Sequence, residues 1–210
     1  MGSVLVKICG LTNLNDALDA IELGADYLGF NFYPDSPRFI SPEKAKEIFE
    51  EIPTNVSKVG VFVNEDIPTV LDLAIDLGLD YLQFHGDETP EALNPIGRPW
   101  YKAVRMKDEA ALAEISRYDC EWILADAYSE KAYGGTGLTA HWDLVRKVQD
   151  LGKKVILAGG LNPENVAVAV AAVRPLMVDV ASGVEASPGK KDRLKVEMFI
   201  SRAKSANPSA

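Results

Sequence analysis

A regular alternation of short apolar runs with amphipathic stretches constrains this chain more than any other feature. Strand-like runs are Val4 to Cys9, Tyr27 to Phe32, Ser57 to Val63, Tyr81 to His85, Trp100 to Val104, Trp122 to Asp126, Val155 to Ala158 and Met177 to Val180. Helical spacing follows each one. Leu14, Ala17, Leu18 and Ile21 precede the stop at Gly24, and Ser41-Pro42 opens a helix lined by Ala45, Ile48, Phe49 and Ile52. Further helices are predicted over 67–77, 90–93, 108–117 and 142–151, from Asn162-Pro163 to Val173, and over 191–203. About eight strand–helix units at roughly 25 residues each point to an α/β fold, a single (β/α)8 TIM barrel. A doubly wound open sheet is the competitor, but no Gly-x-Gly-x-x-Gly turn follows the first strand. No linker breaks the pattern, so residues 1–203 read as one catalytic domain, with 204–210 a fraying tail.

Parallel strands joined by right-handed crossovers place every strand-to-helix loop at one end, and function belongs there. The net charge of −9 argues against nucleic-acid or anionic-membrane partners, which need a basic footprint. A small anionic ligand would then depend on local basic groups. The two cysteines, Cys9 and Cys120, are no disulfide framework. They sit at opposite ends of a barrel, and a strand spans roughly 17–20 Å, beyond the ~7 Å Cα limit for a bridge. Cys9 is expected as a free thiol. No signal-peptide pattern, myristoylation site or membrane-length apolar run is present, so a cytoplasmic protein is expected.

The strand ends and the loops after them collect Cys9, Arg38, Asn64, His85, Arg105, Asp126, Gly159-Gly160, Asp179 and Ser182-Gly183. Lys7 and Cys9 share one strand face. Either Cys9 is a small buried hydrophobe beside a snorkelling lysine, or it is a thiol with a neighbouring cation. Asp126, on the same face as Leu124, reads as a helix cap, as a partner for an inward Lys7 or Lys102, or as a general acid. With Cys9 it would flank a ligand from two sides. His85 reads as a third polar wall or as a structural hydrogen-bonding residue. Glycines at 134, 135 and 137, at 159 and 160, and at 183 fall in the last three strand-to-helix loops. They are either turn residues or, in the seventh and eighth loops, the usual phosphate site of this architecture. The loop from Ala127 to Leu138 is long enough to serve as a lid.

The motif Lys7-Ile8-Cys9-Gly10-Leu11-Thr12 then resembles phosphoribosylanthranilate isomerase of tryptophan biosynthesis. Ser36-Pro37-Arg38, Gly60-Val61-Phe62-Val63-Asn64, Gln83-Phe84-His85-Gly86 and Asp126 followed by Gly134-Gly135-Thr136-Gly137 continue the match. Leu157-Ala158-Gly159-Gly160-Leu161 and Asp179-Val180-Ala181-Ser182-Gly183-Val184-Glu185 complete it. Departures are Ala125 and Phe84, each where the family favours leucine, and Ala140-His141 in place of a common Phe-Asp. The resemblance implies an Amadori rearrangement of N-(5-phosphoribosyl)anthranilate to 1-(2-carboxyphenylamino)-1-deoxyribulose 5-phosphate. It assigns Cys9 as general base and Asp126 as general acid, with neither metal nor cofactor, and a monomer or homodimer as the assembly. It places Arg38 on the anthranilate carboxylate; Asp179 is expected on the substrate or on Lys7, and the glycine-rich loops put Gly135, Gly159, Gly160, Ser182 and Gly183 at the phosphate.

Both catalytic groups would need help. An unshifted thiol is only a few per cent thiolate at pH 7, so Lys7 is expected to assist its ionisation. An unshifted Asp126 would be about 0.1% protonated, roughly 4 kcal/mol short of full acid character. Two rivals are a related barrel isomerase of phosphorylated aminoribose compounds, as in histidine biosynthesis, and a non-catalytic phospholigand-binding barrel. The first should end its opening strand in aspartate and carry a second phosphate site, neither of which is seen here.

Overall fold

The computed structural model describes residues 3–127 and 137–206. Eight strands close into a barrel in chain order: β1 (Leu5–Cys9), β2 (Tyr27–Asn31), β3 (Ser57–Phe62), β4 (Tyr81–Phe84), β5 (Trp100–Arg105), β6 (Trp122–Asp126), β7 (Lys154–Ala158) and β8 (Met177–Val180). Every neighbouring pair is parallel, and β8 returns to β1 with Leu5 opposite Met177 and Lys7 opposite Asp179. Helices α1 (Leu14–Glu22), α2 (Pro42–Glu51), α3 (Ile67–Asp76), α4 (Pro90–Leu93), α5 (Ala110–Ile115), α6 (Gly137–Asp150) and α7 (Val166–Val173) connect them. After β8 come a 3-10 turn (Ser182–Val184), a hairpin of β9 (Glu185–Ser187) and β10 (Lys190–Lys191), and α8 (Arg193–Ser205).

Two cores follow from the strand alternation. Outward residues such as Ile8, Phe30, Phe84, Ile123, Leu157 and Val178 pack beneath the helices. Inward residues Val59, Tyr101, Ala103, Leu124, Ile156 and Met177 fill the barrel. At its N-terminal end the first residues of β2, β4 and β6 form an aromatic floor. There the rings of Tyr81 and Trp122 stack at 4.8 Å, and Tyr27 meets both edge-on. Polar side chains near the opposite end therefore stand on a packed base.

Local chemistry explains most boundaries. Asn13, Ser41, Asp66 and Asp192 cap α1, α2, α3 and α8 by accepting from the N–H three residues on. Helix α7 starts later than the Asn162-Pro163 pair predicts. Asn162 instead makes a turn, its side-chain oxygen accepting from the N–H groups of Glu164 and Asn165 at 2.9 and 3.0 Å. Helix α6 starts earlier than expected, at Gly137. Lys191 lies in β10, and α8 begins after it. That helix also runs past the expected end at 203, with the Lys204 ammonium donating to the Gly24 carbonyl at 2.6 Å. Among the described residues no helix is long and apolar enough to cross a membrane.

Candidate active site

The site is built on a buried polar network beneath the C-terminal rim. Lys7, fully buried, points into the barrel and donates to Asp179 Oδ1 at 2.8 Å and to Gln83 Oε1 at 2.9 Å. Tyr101 also donates to Gln83 Oε1, at 3.0 Å. Ammonium and phenol need an acceptor, which fixes the Gln83 carboxamide with its oxygen toward them. Its nitrogen must then donate to His85 Nδ1, 2.9 Å away. His85 is thereby held neutral with its proton on Nε2. Burial lowers its pKa in the same direction, although Asp126 and Asp179 oppose it. Burial works against the Lys7 ammonium more than any single neighbour favours it, but Asp179, Cys9 and Tyr101 together outweigh it and hold Lys7 above the usual lysine range.

Cys9 ends β1, partly exposed and free of any disulfide, while the buried Cys120 precedes β6 at the other end. Opposite Cys9 on β2 stands Gly29. A Cβ there would lie 2.8 Å from Cys9 Sγ and 3.0 Å from Lys7 Cε, so the glycine gives thiol and lysine stem their shared space. Lys7 acts on the thiol in the expected sense, but it does not win. Desolvation pushes the Cys9 thiol above its usual range, Asp179 adds to the rise, and Lys7 and Lys191 offset only part of it. Sequence reasoning offered the burial and the cation as alternatives; both act on the thiol, and the burial is the stronger.

Asp126 ends β6 on the inward face with Trp122 and Leu124, at the same rim as Cys9. Its suggested partners are otherwise engaged. Lys7 takes Asp179, which realises one of the two readings of that aspartate. Lys102 is not inward at all. It lies between inward Tyr101 and Ala103, faces the helices, and donates to the Gly86 and Ala103 carbonyls at 2.6 and 3.0 Å, with Glu88 at 3.4 Å. Asn64, with φ of 54°, accepts from the Asp87 N–H at 2.6 Å and so joins the third and fourth loops. Arg105 is exposed at the end of β5.

Gly159 and Gly160, with φ of 92° and 68°, open the loop after β7. Asn165 braces that loop, donating to the Gly160 carbonyl at 2.9 Å and accepting from the Asn162 N–H at 2.8 Å. Gly183 in the eighth loop abuts it so closely that a Cβ would fall 1.9 Å from the Leu161 carbonyl oxygen. The two loops form one backbone surface beside Ser182. Gly135 and most of the suspected lid lie outside the described residues.

Arg38 spans the rim from the loop after β2. Its stem crosses Gly10, where a Cβ would come 2.5 Å from Arg38 Cδ. Its guanidinium donates to both oxygens of Glu185, at 2.8 and 2.7 Å. Sequence reasoning missed the roles of Gln83, Tyr101, Glu185 and Lys191. Only the Ser187-Pro188-Gly189 turn signal hinted at the hairpin that carries the last two.

A family model described as N-(5'phosphoribosyl)anthranilate (PRA) isomerase matches residues 6–202. An N-(5'-phosphoribosyl)anthranilate isomerase of Geobacter metallireducens is 51% identical over 201 residues, 96% of this chain and 99% of that protein. A crystal structure of phosphoribosyl anthranilate isomerase with reduced 1-(o-carboxyphenylamino)-1-deoxyribulose 5-phosphate superposes with a TM-score of 0.87 at 45% identity, covering 96% of this chain and 99% of the other. Monomers generated from the dimeric enzyme of Thermotoga maritima give a TM-score of 0.85 at 45% identity, with the same coverage.

Proposed function

The chain belongs to the N-(5'-phosphoribosyl)anthranilate isomerase family, and on that premise we propose how its residues perform the reaction. It is an isomerase of tryptophan biosynthesis, and its substrate is a phosphorylated small molecule. The single observation that supports the residue assignment is the ring order of the barrel. The strands ending in Asp126 and Cys9, β6 and β1, are separated only by β7 and β8. The two adjoining glycine loops therefore sit between the acid and the base.

In this reading Gly159, Gly160, Ser182 and Gly183 offer main-chain donors to the 5'-phosphate, joined by Gly135 from the loop after β6. Asp126 gives a proton to the furanose ring oxygen, and the ring opens to an iminium. That cation acidifies the C2 hydrogen, which Cys9 removes as thiolate. The enolamine then tautomerises to the ketone. One acid and one base suffice for these transfers. Lys7 supports the thiolate from below, Asp179 holds Lys7, and His85, kept neutral by Gln83, forms a polar wall near Asp126. Arg38 receives the anthranilate carboxylate.

Loss of substrate anthranilate fluorescence follows turnover directly. Cys9→Ser and Asp126→Asn should each reduce kcat by about 10²-fold or more. Near-normal kcat in either removes that residue from the mechanism. The dimeric Thermotoga maritima relative favours a homodimer over a monomer, and sedimentation velocity decides between them. A cytoplasmic location fits the biosynthetic role, and fractionation tests it.

A further inference from the structure

We propose that Glu185 is a positioning residue for the substrate carboxylate, acting through Arg38: it takes one edge of the guanidinium and so turns the other toward the mouth. This rests on the role given to Arg38 above and extends it to a residue beneath. A guanidinium has two edges that bind a carboxylate in a fork, Nε with Nη2 and Nη1 with Nη2. Glu185 fills the first, with Nε donating to Oε1 at 2.8 Å and Nη2 to Oε2 at 2.7 Å. Among the described residues nothing is bonded to Nη1.

The carboxylate is fixed more firmly than the arginine it holds. Its Oε1 also accepts from Lys191 Nζ at 3.0 Å and from the Gly189 N–H at 3.2 Å. The Glu185 and Lys191 side chains are 4% and 2% exposed, against 23% for Arg38. Burial raises the Glu185 carboxyl, yet the Arg38 hydrogen bonds and the Lys191 ammonium outweigh it and keep the group ionised. One carboxylate between two cations leaves a single positive charge. That charge is carried at the mouth by the most exposed member of the three.

The hairpin beneath is clamped in turn. Thr12 Oγ1 donates to the Gly189 carbonyl at 2.6 Å, and the Lys191 N–H donates to Asp16 Oδ2 at 2.6 Å. With the Arg38 stem laid across Gly10, neither end of the arginine is at liberty to swing. An incoming carboxylate meets a fork already aimed, so less ordering is required on binding.

Steady-state kinetics with N-(5'-phosphoribosyl)anthranilate on the full chain test this through four variants: Glu185→Gln, Glu185→Asp, Arg38→Lys, and the double variant of Glu185→Gln with Arg38→Lys. Glu185→Gln should raise KM about 10-fold or more while kcat falls less than about threefold, the signature of lost uniform binding. Glu185→Asp keeps the charge but draws it back, and should raise KM in the same direction. Arg38→Lys removes the planar fork and should raise KM at least as far. Adding Glu185→Gln to Arg38→Lys should then change KM by less than about twofold, because the glutamate has lost the group it orients. If Arg38→Lys raises KM but both Glu185 variants leave it unchanged, or if the two effects multiply, Glu185 does not position the fork. If Arg38→Lys leaves KM unchanged, the Arg38 assignment itself falls. Should Glu185→Gln fail to fold, the Glu185→Asp result decides by the same KM criterion.

Discussion

Replacing Gly29 with alanine perturbs the thiol without touching its chemistry. The new methyl carbon would stand 2.8 Å from Cys9 Sγ, 3.0 Å from Lys7 Cε and 3.1 Å from Cys9 Cα, where ordinary contact begins near 3.4 Å. The sulfur must therefore retreat by roughly half an ångström, and the lysine stem by somewhat less. Misplacement of a reacting group by about 1 Å can lower a rate about 10²-fold, so a shift of half that size predicts a kcat loss of about 10-fold. The substrate's two anionic ends are held elsewhere, so KM should change by less than about twofold. Overpacking should cost about 1–3 kcal/mol, a fall in Tm of a few degrees at about 2–4 °C per kcal/mol for a domain of this size. Fluorescence kinetics below the melting range, with the melt measured in parallel, separate the two effects. Full kcat in a variant whose Tm has dropped would refute the idea that thiol placement over Gly29 sets the rate.

Because desolvation raises the Cys9 pKa, the thiolate fraction keeps growing with pH, and the rate at which iodoacetamide alkylates Cys9, which needs no general acid, should still be climbing at pH 9. A plateau already reached by pH 8 would show that the thiol ionises more easily than its surroundings imply. Gly183→Ala would drive a methyl into the Leu161 carbonyl, 1.9 Å from its oxygen. The two anion loops must then part by about 1.5 Å, and both KM and the inhibition constant for inorganic phosphate should rise about 10-fold or more. Unchanged phosphate inhibition would place the anion elsewhere.

The barrel was legible because a strand–helix period repeated eight times leaves few alternatives, and because capping residues mark the starts of α1, α2, α3 and α8. Where the reading slipped, one local signal had two physical meanings. Asn162-Pro163 opens a turn as readily as a helix. A lysine inside an apolar run looks the same whether it enters the barrel, as Lys7 does, or the layer under the helices, as Lys102 does. Cys9 and Asp126 could be picked out because each ends a strand on a known face. Glu185 and Lys191 could not, since strands of two and three residues carry no period. Their importance comes from contacts with Arg38, 147 residues away in the chain for Glu185.

That separation matters for how the molecule is made. Thr12 waits for Gly189 across 177 residues, and Asp16 waits for Lys191 across 175. On a ribosome the thiol of the first strand emerges long before the brace for Arg38 does. A nascent chain that has just completed β8 holds all eight strands but still lacks the prop under its guanidinium and α8, whose Val196, Phe199 and Ile200 are buried in the outer core. Competence to grip substrate therefore arrives only after the eighth strand, with the hairpin and the helix that follow it.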